Sequence, residues 1–350
     1  MPPAFFVPMK HRIHYRALLL IAGLVFIAGL YAQTPGVPPA RLTYTAWLTG
    51  DSADVQPRPL GGVLLGGGST DVREAMQWLL QRAAGGDVVI LRASGRDGYN
   101  DYLYRELDIP VNSVETLLID RRELASHPEV VAKVRRAEAI FLAGGDQGNY
   151  TRFWRDTPLS AAINERIRAG AVVGGTSAGC AILGNPYFAA RQGTIRSEEA
   201  LADPYDARMD VQTAPFIIQP LLTGVLTDMH YNNPDRSGRH LAFLARTLAD
   251  GQPQVRGIGI DEKTAVCVAP DGQTRVFGRG TAWFLHPAGP PEQCRPGKPL
   301  RWHRGGKAVA VLAVTGSLTG TAGPRLGSSD FDGMETTTYW SVVDGQVIKP

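Results

Sequence analysis

The stretch Ala171-Val172-Val173-Gly174-Gly175-Thr176-Ser177-Ala178-Gly179 decides the fold. A short apolar run ends on a turn of small residues that carries one serine, and a helical segment follows. Gly-x-Ser-x-Gly in the context strand–turn–helix is the pattern of a nucleophile elbow. Such a turn holds its central residue in a strained conformation, and small neighbours let a substrate approach. The Ala178 N–H, at the start of the helix, then points to where an oxyanion would form. The plainer reading is a tight turn with an incidental serine. The flanking pattern favours catalysis.

Four further apolar runs lie upstream of this one: GGVLLGGG (61–68), DVVILRASG (87–95), SVETLLID (113–120) and AEAIFLAGGDQ (137–147). Helical stretches are expected over Thr70–Ala84 and Leu159–Ala169. Apolar runs of this length alternating with helices predict an α/β fold with a doubly wound, mostly parallel sheet covered on both faces. Active sites in such sheets lie at the carboxyl ends of the strands. Four of the five runs end there in unusual loops: Gly66-Gly67-Gly68, Arg92-Ala93-Ser94-Gly95, Gly144-Gly145-Asp146-Gln147 and the serine turn itself. The first could in principle hold a phosphate, but it lacks the lysine of a P-loop. Backbone approach beside Ser177 is the better reading of it.

After Gly251 the texture changes to short alternating segments: 257–270, 271–287, 307–317 and 336–350. These predict antiparallel strands that extend the sheet or form a β-rich C-terminal extension. The expected organisation is a signal peptide (1–32), a linker with one strand at most (33–60), a hydrolase domain (61–290) and the extension (291–350).

The chain has 350 residues, 44% apolar and 20% charged, which suits a globular protein with a large core. Lys10, Arg12 and Arg16 are its only charged side chains before residue 33, which leaves 33 basic against 33 acidic groups in the remainder. A neutral body without a basic run offers no footprint for nucleic acid. The basic flank is followed by 16 apolar residues, Ala17–Ala32. That is short of the roughly 20 needed to span a bilayer and suits a signal peptide, so export to the periplasm or the medium is expected, with an uncleaved anchor as the alternative. Three cysteines form neither a disulfide framework nor a zinc site, although Cys267 and Cys294 could pair in an oxidising compartment. No metal or organic cofactor is implied.

A nucleophilic serine needs a base. Beyond the signal the histidines are His127, His230, His240, His286 and His303. His230 ends the apolar run GVLTDMHY, where a strand would deliver it to the sheet edge, and is the best choice. For the orienting carboxylate, Asp261 and Glu262 follow the apolar GIGI, and Asp228 lies two residues from His230 on the same face of a strand. Spacing leaves these three open. Arg236 and Arg239, three apart, share a helix face and could grip a substrate carboxylate or form a solvated basic face.

Gly-Thr-Ser-Ala-Gly, the preceding Gly-Gly-Asp-Gln, an Asp-x-His step followed by spaced arginines, and Asp-Glu-x-Thr-Ala together resemble the cyanophycinase-like serine peptidases, whose broader family includes aspartyl dipeptidase. The resemblance runs from about Gly61 to Ala265. It implies a fold similar to class I glutamine amidotransferases, with Ser177 as nucleophile, His230 as base and Glu262 as orienting acid. It further implies an oxyanion hole from Ala178 and the backbone of Gly145 and Asp146, with Gln147, Asp228, Arg236 and Arg239 around the substrate. The expected partner is a peptide or polypeptide substrate with an acidic residue, and a homodimer is a candidate assembly. One departure bears on specificity. The family's Asp-Gln-His-Phe stands here as Asp228-Met229-His230-Tyr231, so an amide is replaced by a thioether that cannot donate. The expected function is an exported serine exopeptidase acting at an acidic residue. An amidase or esterase on a small molecule and an inactive binding protein are the alternatives.

Overall fold

Contiguous apolar runs, buried on both faces, form the parallel centre of the largest of three sheets among the described residues. The computed structural model describes residues 42–327 and 338–350, and the signal expected over 1–32 lies outside them. Strands β1 (Thr45–Gly50), β2 (Val63–Gly66), β3 (Asp87–Arg92), β4 (Ser113–Leu118), β5 (Ala139–Leu142) and β6 (Val172–Thr176) enter this sheet. Between and after them come helices α1 (Arg73–Arg82), α2 (Pro128–Arg136), α3 (Gln147–Trp154), α4 (Pro158–Arg168) and α5 (Ala178–Ala181). The rest of the chain supplies β7 (Tyr187–Phe188), α6 (Ser197–Ala202), β8 (Val211–Gln212), β9 (Val225–Met229), α7 (Ser237–Ala249), β10 (Arg256–Ile260), β11 (Thr264–Val268), β12 (Thr274–Gly278), β13 (Thr281–Pro287), β14 (Val309–Thr315), β15 (Thr321–Ala322), β16 (Thr338–Val343) and β17 (Gln346–Ile348).

Among the described residues the larger sheet has the order β1-β4-β3-β5-β6-β2-β11-β12-β15. Its centre, β4 to β2, is parallel, and β1 and β11 close onto it antiparallel. The period of two in a strand divides its side chains between the faces. Val63, Leu65, Val89, Leu91, Ile140 and Leu142 enter one core, whereas Leu64, Val88, Ile90, Ala139 and Phe141 enter the other with α1. This is the doubly wound α/β arrangement that the sequence predicts.

A second sheet has the order β17-β16-β14-β13-β10-β9, parallel only between β9 and β10. Val225, Met229, Ile258 and Ile260 from it join the core that holds Val63, Leu65 and Val173, so it packs beside the first sheet's parallel centre. The late strands therefore do two things. β11, β12 and β15 extend the larger sheet, while β13, β14, β16 and β17 complete the second. The boundary expected at 290/291 falls between β13 and β14, which are paired neighbours, and residues 42–350 form one unit. The segment after 290 supplies β14, β16 and β17, which pair into the second sheet as the β-rich C-terminal part of the fold. The physical reason is that β13, paired to β10 on one side, needs β14 to cover its other edge.

Helix starts follow local chemistry. Asp146 caps α3 by accepting from the Gly148 N–H at 2.7 Å. Thr157 and Ser160 form a reciprocal capping box ahead of α4, with Pro158 in the first turn. Both side chains are buried, so water cannot replace the lost bonds. Thr157→Ala is expected to lower the unfolding free energy by about 1–2 kcal/mol, read as a reduced midpoint with an unchanged slope in chemical denaturation.

Candidate active site

Ser177 stands between β6 and α5 with φ 50° and ψ −118°. For a residue with a Cβ that conformation costs on the order of 1–3 kcal/mol, and it presents the side chain away from the strand. Its Oγ lies 2.8 Å from His230 Nε2. His230 follows β9 and also has a positive φ, 50°. Its other nitrogen, Nδ1, lies 2.7 Å from Glu262 Oε1. An ionised carboxylate only accepts, so Nδ1 carries the proton and Nε2 is left to accept from the serine hydroxyl. The hydrogen bond from His230 holds the Glu262 carboxyl below its usual range. Ser177, His230 and Glu262, which the sequence places on separate strand ends, are thereby linked in series.

The three open carboxylates separate cleanly. Asp261 turns away from the imidazole: it accepts from the Thr281 N–H at 3.0 Å and from Trp283 Nε1 at 3.2 Å. Burial raises its pKa. Asp228 is buried and bidentate to Arg239, with oxygens 2.8 Å from Nε and 2.5 Å from Nη2. Burial opposes its charge, but Arg239 outweighs that and holds the carboxyl below its usual range.

One turn connects the three segments. Gly66 O accepts from the Ser177 N–H at 3.1 Å, Gly67 O from the His230 N–H at 2.8 Å and Gly68 O from the Lys263 N–H at 3.1 Å. The Gly67 N–H donates to Thr264 O at 2.9 Å. The glycine loop brings backbone to the serine, as its sequence suggests, and here it also meets the base and the acid.

The serine opens on a cavity of about 350 Å³ lined by Gly145, Asp146, Gln147, Ala190, Thr194, Met229 and Arg236 among others. The Ala178 and Gly145 N–H groups meet no acceptor in the described residues and flank it as candidate oxyanion donors. Asp146 uses its side chain as the α3 cap, so only its own N–H is available there. Gln147, first residue of α3, faces the same cavity.

The residues expected around the substrate differ in what they already bind. Asp228 is 1% exposed and Arg239 2%, and Arg239 further donates to Thr194 Oγ1 and Ile195 O. Their charges cancel inside the protein, and the pair ties α7 to β9 while Arg239 also lines the cavity. Arg236 differs. Its Nη1 donates to Met229 O at 3.1 Å, no carboxylate among the described residues pairs with it, and burial lowers its pKa. Together with Arg239 and Met229 it lines the cavity. Sequence alone does not separate the two arginines, because helical spacing places both on one face while only tertiary packing sets Asp228 under one of them.

Cys267 is buried on β11 and Cys294 lies in the loop after β13; both are free, so the pairing that the sequence leaves open is not made. Among the described residues no group of three or more His, Cys, Asp or Glu side chains is placed to hold a metal ion. Sequence reading missed Asn232 and Asn233, which touch Glu262 from the loop after His230. Their only signal is their position two and three residues past the histidine.

Residues 100–276 match peptidase family S51. Cyanophycinases of Synechococcus elongatus and Thermosynechococcus vestitus are each 33% identical over 236 residues, which is 65% of this chain and 68% of theirs. The cyanophycinase of a Nostoc species is 32% identical over 181 residues, 51% of this chain and 55% of that one. A solved structure of a peptidase from an acI-B1 Actinobacterium superposes with TM-score 0.49 at 20% identity, over 75% of this chain and 96% of that one. On the family match and these relatives, the chain belongs to peptidase family S51 and is a serine-type peptidase.

Proposed function

We propose that this protein is an exopeptidase that hydrolyses peptide or isopeptide bonds at an acidic residue through a Ser177–His230–Glu262 triad. The observation that carries the reading is the pair of bonds in series, 2.8 Å from Ser177 Oγ to His230 Nε2 and 2.7 Å from His230 Nδ1 to Glu262 Oε1. Ser177 Oγ attacks the carbonyl carbon as its proton passes to Nε2. The tetrahedral oxyanion rests on the Ala178 and Gly145 N–H groups. Nε2 returns the proton to the leaving amine, the C–N bond breaks, and an acyl-enzyme remains. Water, deprotonated by the same nitrogen, then releases the acid. Glu262 stabilises the imidazolium present in each step.

Arg236 supports the preference for an acidic residue, because its guanidinium has donors left for a carboxylate at the wall of the cavity. The relatives named as cyanophycinases make cyanophycin and β-Asp-Arg the first substrates to try. Met229, which lines the cavity, favours testing uncharged amides and esters alongside them. The basic flank and the apolar run 17–32 support export, either to the periplasm or to the medium.

Three measurements test these points. With cyanophycin, β-Asp-Arg, Asp-X peptides and matched amides and esters as substrates, Ser177→Ala is expected to lose about 1,000-fold or more in kcat and Glu262→Gln about 100-fold. Full turnover by Ser177→Ala would rule the mechanism out. Arg236→Ala is expected to raise KM for the acidic substrate by about 10- to 100-fold while leaving the corresponding uncharged amide unaffected. Equal loss on both would remove carboxylate recognition from Arg236. Expression in a bacterial host, followed by fractionation and N-terminal sequencing, is expected to yield exported protein beginning at Gln33. Full-length protein held in the inner membrane would replace the cleaved signal with an anchor.

A further inference from the structure

The loop after His230 does more than continue the chain. The Asn233 side chain donates from Nδ2 to Glu262 Oε2 at 3.3 Å, the oxygen that His230 does not use. Asn232 Oδ1 accepts from the Glu262 N–H at 3.1 Å. The loop itself is pinned, with the Tyr231 N–H on Ile260 O at 3.1 Å and the Asn233 N–H on His230 O at 3.0 Å. Both carboxylate oxygens are therefore held from within four residues of one another, one by the base and one by the amide.

The need for such a contact follows from exposure. The Glu262 side chain is 21% exposed and sits on a turn between strands of different sheets, so it has freedom to rotate toward water. A carboxylate held at one oxygen can swing about that bond; held at two, it keeps one orientation toward the imidazole. We propose that Asn233 is a positioning residue of this site, fixing the Glu262 carboxylate so that it stays aligned on His230 Nδ1. The inference rests on the triad reading given above.

The charged groups around the imidazole are few. Glu262 and Lys263 come from the turn after β10, Arg236 and the neutralised Asp228–Arg239 pair from β9 and α7, and Asp146 stands across the cavity. The glycine loop adds none. A new carboxylate at 233 would be adjacent to this set. It cannot donate to Glu262, and it favours the protonated imidazole, so a higher pH is needed to free the base.

The test uses the rate at which a fluorophosphonate probe labels Ser177 in the full chain, since that rate reads activation of the nucleophile without a known substrate. Asn233→Ala is expected to slow labelling about 3- to 10-fold, a modest figure because the contact is solvent-exposed. Asn233→Asp, nearly the same shape, is expected to slow it similarly and to move the acid limb of the rate–pH profile to higher pH. The thermal midpoint of each should stay with the parent. Unaltered labelling and an unaltered profile in Asn233→Asp would overturn the inference, whatever Asn233→Ala does to folding. Ser177→Ala in the same assay separates the two failures. If it labels, the triad reading falls; if it does not and both Asn233 variants match the parent, only the role of Asn233 falls.

Discussion

The turn Gly66-Gly67-Gly68 is the constraint on which the site depends. Its three carbonyl oxygens take the backbone N–H groups of Ser177, His230 and Lys263. Those groups belong to the proposed nucleophile, to the proposed base and to the residue beside the proposed acid. No side chain fits there. A Cβ on Gly67 would overlap the Asp261 carbonyl oxygen, and one on Gly68 would stand 2.5 Å from the imidazole, at a φ of +93° that side chains avoid. The glycines let three chain segments close on one another at backbone distance. Relative positions of catalytic groups set by backbone bonds vary less than those set by flexible side chains, which is what preorganisation requires.

Charge is arranged around that turn with the same economy. Asp228 and Arg239 form a buried bidentate pair joining β9 to α7. Removing one partner of such a pair typically costs about 3–5 kcal/mol, because the other is left buried and uncompensated. The pair therefore fixes the helix against the strand that delivers His230. Arg236, one turn earlier, lies at the start of the same helix and has only a carbonyl partner, the Met229 O. Bracing is done by the neutralised arginine, and Arg236 has no carboxylate partner among the described residues. His240 on the next turn is buried as well, and burial takes its pKa down to about 4, so it adds no charge near the base at neutral pH.

Much of this was legible in the chain. The parallel centre announces itself because strands buried on both faces are continuous apolar runs, and Ser177 and His230 stand where such runs stop. The choice of acid was not legible from the residues, since Asp228, Asp261 and Glu262 all occupy strand ends. What decides among them is the partner each finds: Arg239 for Asp228, Thr281 and Trp283 for Asp261, and His230 for Glu262. Those partners come from elements distant in sequence. The second sheet was equally hidden. Only Asp261, Glu262 and Lys263 separate β10 from β11, yet the two strands belong to different sheets. A three-residue connection reads as a hairpin turn, and nothing local distinguishes a turn within one sheet from a crossing between two.

That crossing explains what the C-terminal strands contribute. Glu262 sits at its midpoint, so its position is set by both sheets at once. On one side β11 pairs with β2, which ends at the glycine turn. On the other β10 pairs with β13, and Asp261 is tied to β13 through the Thr281 N–H and Trp283 Nε1. β13 is in turn flanked by β14, and β14 by β16. The strands after residue 290, which carry no recognisable catalytic residue, thus back the strand that anchors the acid's neighbour. The Glu262 side chain is partly exposed. Its alignment on His230 is inherited from a register of paired strands extending to Val343, and an error in that register would reach the base through two residues of backbone.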